Sequence, residues 1–190
     1  GRVPWPPRAM SDEARITRAR PEDWAAWRDL RLQALLDAPT AFGSTYESQV
    51  GWTEQQWRDR LDPSNGMTCL SMLGDRIVGM AAGYPEGDGV VELISMWVSP
   101  EARGRGVGDA LVDEVVRWAA EQRAEAVQLW VTSGNATAER LYARHGFVRT
   151  GATRPLPSDP AIDELAMRLS LSAPVSSRPS LRGTPARGAP

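Results

Sequence analysis

The 190-residue chain has no lysine, one cysteine and one histidine. The lone cysteine, Cys69, excludes an internal disulfide, and no charged segment followed by an apolar stretch opens the chain. Together these predict a reducing, cytoplasmic setting rather than secretion. No apolar run approaches the ~18 residues a membrane span needs, which excludes a transmembrane helix. All 22 basic residues are arginine, a compositional mark of codon bias in a high-GC bacterial genome. Acidic residues are missing from both ends: all 24 lie between Asp12 and Glu164, while five arginines fall in residues 1–9 and 172–190. Residues 10–171 therefore carry 17 arginines against 24 acids, a net charge of −7, which argues against nucleic acid as the main partner.

What remains is an ordinary globular composition, 42% apolar and 24% charged, at a length that fits one domain. Residues 1–10, with three prolines and no acid, read as a disordered extension or an expression remnant. Residues 172–190, rich in Pro, Arg and Ser, read as a disordered tail, leaving 11–171 as the folded domain. Within it, strand-like runs alternate with helical patterns, which predicts an α/β or α+β sheet protein. Strands are expected at 15–18, 67–73, 77–84, 90–98, 127–131, 147–154 and 164–169, and Pro155-Leu156-Pro157 reads as a loop. Helices are expected from Pro21 to before Pro39, at 53–61, 106–123 and 136–145. The strand, helix, strand order around residues 90–131 implies a parallel pair.

One segment stands out chemically. A strand ending at Val98 runs through Ser99-Pro100-Glu101-Ala102-Arg103-Gly104-Arg105-Gly106-Val107-Gly108 into an amphipathic helix. Free backbone N–H groups and the positive end of the helix dipole make such a turn an anion cradle, and its glycines let the anion approach closely. It is not a Walker loop, which needs Gly-Lys-Ser/Thr, and Gly104-x-Gly106-x-Gly108 is not the G-x-G-x-x-G of dinucleotide folds. The other reading of the segment, taken by itself, is an ordinary glycine-rich strand-to-helix turn.

Arg103-x-x-Gly106-x-Gly108 after a Val-x-Pro strand end resembles motif A of the GNAT acyltransferase superfamily. Asn135-Ala136-x-Ala138-x-x-Leu141-Tyr142-x-x-x-Gly146-Phe147 resembles its motif B, in the matching order and separation. The resemblance spans about residues 15–171. It implies a GNAT-like, mixed, mostly antiparallel seven-stranded sheet with a central splay, flanked by helices, and acetyl-CoA as co-substrate with no metal. It also implies that the backbone of Met96, Trp97 and Val98 lies along the pantetheine arm. The amides of Arg103, Gly104, Arg105, Gly106, Val107, Gly108 and Asp109 would hold the pyrophosphate, Asn135 would touch the cofactor at the splay, and Tyr142 would lie near the sulfur. Asn135 also fits a plain helix N-cap, and Tyr142 a core aromatic.

Amine acylation needs a base for the ammonium proton and an acid for the leaving thiolate. Glu92 occupies the position of a catalytic glutamate in the histone-acetyltransferase branch, with Val91, Leu93 and Ile94 to desolvate it; the other reading is a glutamate at a solvated strand end. Tyr142, a phenol with an ordinary pKa near 10, suits the acid. His145 reads as a helix-end residue facing the dipole, and Cys69 as a small buried residue rather than a nucleophile. In this superfamily the first two helices shape the acceptor pocket, which points to Phe42, Tyr46 and Glu47, although Phe42 equally suits a packed turn. The expected function is direct transfer of an acetyl group from acetyl-CoA to a primary amine of a small molecule. The alternatives are a protein or peptide N-terminal or lysine acetyltransferase, and a non-catalytic acyl-CoA-binding sensor. The expected partners are acetyl-CoA and an amine, with no nucleic acid and no membrane, in a monomer or homodimer.

Overall fold

The computed structural model describes residues 13–172. The terminal segments expected at 1–10 and 172–190 lie, but for Ser172, outside the described residues. In chain order the elements are β1 (Arg15–Arg18), α1 (Trp24–Asp37), α2 (Tyr46–Gln49), α3 (Glu54–Arg60), β2 (Met67–Leu73), β3 (Arg76–Gly87) and β4 (Val90–Val98). They continue with α4 (Val107–Glu121), β5 (Ala126–Thr132), α5 (Ala136–Arg144), β6 (Val148–Leu156) and β7 (Asp159–Ser170). The strands form one seven-stranded sheet in the order β1-β2-β3-β4-β5-β7-β6, with β4–β5 parallel and every other pair antiparallel. This is the mixed, mostly antiparallel sheet the resemblance implies. The parallel pair exists because α4 carries the chain back along the sheet between β4 and β5. No described helix is long and apolar enough to cross a membrane.

Apolar residues at helical spacing decide how the faces are covered. Val107, Leu111, Val112, Val115, Trp118 and Ala119 of α4 are buried against one face, with Val78, Ala81, Leu93, Val127 and Leu129. On the other face Trp27, Leu30, Ala34 and Leu35 of α1 meet Phe42, Trp57, Leu70, Met80 and Trp97. Pro21 opens a short 3₁₀ turn, Pro21–Asp23, ahead of α1, where its fixed φ and missing N–H cost nothing. Thr53 caps α3 by accepting from the Gln56 N–H.

Two local expectations are corrected. The segment around Tyr46–Gln49 forms a helical turn capped by Thr45, too short to show a periodic pattern in the sequence. Pro155-Leu156-Pro157 is not a loop: β6 continues through Leu156, which is 1% exposed, and only Pro157 and Ser158 make the turn. Proline is tolerated at 155 because β6 is the edge strand.

The feature that creates a site is the failure of β4 and β5 to stay paired. Their ladder runs from Val90↔Ala126 to Glu92↔Gln128 and ends, while β5 stays paired to β7 as far as Thr132↔Glu164. On its other side β4 bulges: Met80 pairs with Trp97 and Ala82 with Ile94, and Ser95 takes a positive φ of 59°. An extra residue bends a strand and sharpens its twist, so β4 veers from β5 beyond Glu92 and the sheet splays.

Candidate active site

The splay opens a cavity of about 260 Å³, walled by Glu92–Met96 of β4, Trp130–Thr132 of β5, and Asn135, Ala138, Leu141 and Tyr142 at the start and along the face of α5. A roof crosses it. The connection from α1 to α2 passes over the opening and is stapled at two points, where Ser158 Oγ donates to the Phe42 carbonyl at 2.6 Å and Thr132 Oγ1 to the Thr40 carbonyl at 2.6 Å. Pro157 packs close against Gly43.

Glu92 stands on the last paired rung of β4 and faces the cavity. Burial, seconded by the nearby Glu86, pushes its carboxyl above the usual range, against the pull of Arg154, whose Nη2 lies 4.0 Å away. Tyr142 is 6% exposed and packs edge-on against Phe147, with ring centroids 5.9 Å apart, so it is at once a core aromatic and part of the cavity wall. Burial holds its phenol well above the ordinary value, and it is therefore neutral and able to donate a proton at neutral pH. Asn135 caps α5 by accepting from the Ala138 N–H at 3.2 Å through Oδ1, and it also borders the cavity.

The other end of the splayed strand supplies the cradle. Gly104 and Gly106 adopt φ of 75° and 77°, and a Cβ at either would meet nothing within 4 Å, so backbone conformation rather than crowding demands glycine there. Gly106 starts α4 without a side-chain cap, which leaves the first-turn N–H groups open to an anion beside Arg105. Gly108 serves packing, since its Cβ would come within 3.2 Å of Leu141 on α5. Val107 is buried under the loop. After Glu92 the β5-facing edge of β4, which includes Met96, Trp97 and Val98, has no ladder partner in β5 and is open to an extended ligand. These features fit a pyrophosphate joined to an extended arm.

Several side chains act within the protein. Arg103 donates through Nε to the Val98 carbonyl at 3.0 Å and through Nη2 to Asp37 at 2.8 Å, fastening the loop to the end of α1. Asp37 also accepts from Trp97 Nε1 at 3.0 Å; that bond and then Arg103 hold its carboxyl below the usual range. His145 bridges α5 to α4, with Nε2 2.9 Å from Asp109 and Nδ1 3.0 Å from Asp113. Cys69 is fully buried and its thiol is pushed up to about 12, as befits a packing residue.

Of the residues predicted for the acceptor, Phe42 is buried and lines the cavity. Tyr46 packs on the α1-side core and Glu47 is exposed, and neither belongs to the cavity wall. The wall instead includes Arg31, Arg60, Trp130, Arg154 and Glu164, which sequence reasoning passed over. Arg31 left a legible signal, since it falls on the buried stripe of α1 between Leu30 and Ala34, where a charge is out of place. Arg154 lies over the Trp130 ring at 4.1 Å and pairs with buried Glu164 at 2.5 Å, a cross-strand arrangement that depends on the β6–β7 register.

Known proteins share this fold. The chain is 29% identical over 164 residues to a mycothiol acetyltransferase of Acidothermus cellulolyticus, an alignment covering 78% of this chain and 49% of that protein. The chain thus spans about half the length of that curated relative. A GNAT-family acetyltransferase structure from Streptococcus pneumoniae superposes with a TM-score of 0.70 at 23% identity, over 84% of this chain and all of that one. A Salmonella typhimurium protein solved with its cofactor acetyl-CoA superposes with a TM-score of 0.66 at 22% identity, over 85% of this chain and 95% of that one. Residues 24–147 match the Acetyltransferase (GNAT) family, and with the splayed sheet and glycine cradle in place, the chain belongs to that family.

Proposed function

We propose that the protein transfers the acetyl group of acetyl-CoA directly to the primary amine of a small molecule held under the roof of the splay cavity. The roof carries this reading: with the α1–α2 connection stapled to Thr132 and Ser158, the acceptor side is a partly covered pocket of about 260 Å³, a better match to a small molecule than to an extended polypeptide. Acetyl-CoA supplies the activated thioester. The α4 amides and Arg105 hold its pyrophosphate, and the free edge of β4 from Leu93 onward holds its arm as an added strand.

Glu92, with its raised pKa, takes a proton from the ammonium through a water, which frees the nitrogen lone pair. The C–N bond forms and the C–S bond breaks, while the neutral Tyr142 phenol gives its proton to the leaving sulfur. The second proton lost by nitrogen restores the phenol. Thiol release from acetyl-CoA, measured over panels of small primary amines and of short peptides with free N-termini or lysines, tests the proposal. Turnover with small amines and none with peptides is expected. Turnover confined to peptides would replace the reading with a protein acetyltransferase, and binding of acetyl-CoA with no thiol release over any amine would replace it with a sensor.

A further inference from the structure

Two cavity arginines have no counter-charge. Arg31 is 3% exposed; its Nε donates to Gln49 Oε1 at 3.1 Å, its Nη1 to Ser95 Oγ at 2.8 Å, and its guanidinium lies 5.0 Å over the Phe42 ring. Every one of these partners is neutral. Arg60 places its guanidinium 5.4 Å over the Tyr84 ring, and its Nε is buried with no hydrogen-bond partner. Among the described residues neither forms an ion pair, whereas the third cavity arginine, Arg154, is held by Glu164. A cation taken out of water is strongly disfavoured unless an anion meets it, and packing alone would put an aliphatic side chain at position 31. Burial and then the charge of Arg60 push the Arg31 guanidinium down to about 10, so the two cations sense each other across the cavity.

Both lie within reach of the proposed reaction centre. Arg31 bonds Ser95, three residues beyond Glu92, at most about 10 Å along an extended strand. Arg60 covers Tyr84, which pairs directly with Glu92 across β3 and β4. We propose that Arg31 and Arg60 form an anion subsite for a carboxylate of the acceptor, so that the substrate class is a small amine that also carries a carboxylate, an amino-acid type of molecule. The Glu92 carboxylate faces the ammonium and the two guanidinium groups face the carboxylate, so one small zwitterion neutralises both. This assignment rests on the acetyl-transfer reading and adds the acceptor's second charge to it.

Two measurements separate the subsite from the chemistry. In the first, acetyl-CoA turnover is compared across amino acids, their carboxamides, the corresponding amines without the carboxyl group, and phosphoethanolamine. The acids are expected to exceed the carboxamides at least about tenfold in kcat/KM, and Arg60→Gln to raise KM for the acids about 10–100-fold and erase the difference. Equal use of carboxamides, a preference for the phosphorylated amine, or an unchanged KM in Arg60→Gln overturns the carboxylate subsite. Arg31→Gln should act likewise; half-buried Arg60 carries the test where the Arg31 variant does not fold.

In the second, malonate is titrated calorimetrically into the acetyl-CoA-saturated protein, which needs no turnover. Binding that weakens about 10–100-fold in Arg60→Gln supports the subsite. Absence of malonate binding alongside active amine acetylation overturns the subsite alone. Malonate binding lost in Arg60→Gln, without acetylation of any amine, supports the subsite and overturns the acetyl-transfer reading.

Discussion

Replacing Glu92 with glutamine tests the base and predicts opposite effects on activity and stability. The substitution keeps the side-chain length and the β3 and β4–β5 backbone pairing at this rung, and removes only the charge. A positioned general base contributes about 10²–10⁴-fold, so turnover should fall by that factor with acetyl-CoA affinity unchanged. Because burial raises the carboxyl above the usual glutamate value of about 4.3, kcat/KM of the parent should fall as pH drops through that raised value, and this acidic limb should vanish in the variant. The stability effect runs the other way. A carboxyl whose pKa is raised by folding binds its proton more tightly in the native state, so it lowers stability once pH exceeds its unfolded value. Glu92→Gln should therefore raise the melting temperature at pH 7–8, and the gain should disappear below about pH 4. Stopped assays of acetylated amine from pH 5 to 9, beside calorimetric melting from about pH 3 to 8, read both effects. Full activity with an unchanged acidic limb would refute the base, and a lower melting temperature at pH 8 would refute the desolvation argument.

Gly106→Val places a branched side chain at φ 77° in the open cradle; the left-handed backbone alone costs about 1–2 kcal/mol, or about 2–8 °C in melting temperature. Acetyl-CoA affinity by calorimetric titration should also fall at least about tenfold, because the added carbons stand where the pyrophosphate approaches the amides. Tyr142→Phe keeps the ring against Phe147 and removes only the hydroxyl, so turnover should drop about 10²–10⁴-fold while near-ultraviolet circular dichroism and acetyl-CoA affinity hold. Asp109→Asn loosens α4 from α5. Although burial opposes the shift, the bonds from His145 and Arg144 hold Asp109 below the usual range, so its contribution is present above about pH 4 and lost as pH falls through the folded value. An exposed pair of this kind is worth at most about 1 kcal/mol, so melting should drop by about 1–3 °C at pH 7 and by nothing once the pH lies below the folded value.

The sheet was legible because its signals are local. Gly74-Asp75 and Asp88-Gly89 mark hairpin turns, the α4 stripe repeats at helical spacing, and Gly104 and Gly106 announce a turn that ends in a helix. The glycine turn was legible by the same means, whereas Glu92 and Tyr142 were singled out through the family resemblance, and both line the cavity. The rest of the cavity wall was not legible. Arg60, Trp130 and Arg154 arrive from α3, β5 and β6, three segments that nothing in the order of residues brings together; only the β6–β7 register and the packing of α3 do so. Tyr46 and Glu47 sit one helical turn past the roof, and a four-residue helix fixed by the Thr45 cap turns them away from the cavity. Arg31 alone could have been singled out, as a charge at a buried stripe position.

Direct transfer inside the splay is tested most directly by initial velocities measured while acetyl-CoA and a carboxylate-bearing amine are varied together, with the N-acetylated product counted by mass spectrometry against the thiol released. Intersecting double-reciprocal lines, one acetylated amine for each thiol, and an unchanged intact-protein mass after acetyl-CoA alone are the predicted result. Parallel lines with an acetylated protein would contradict it, since they would place a covalent acyl-enzyme on the path where the account places none.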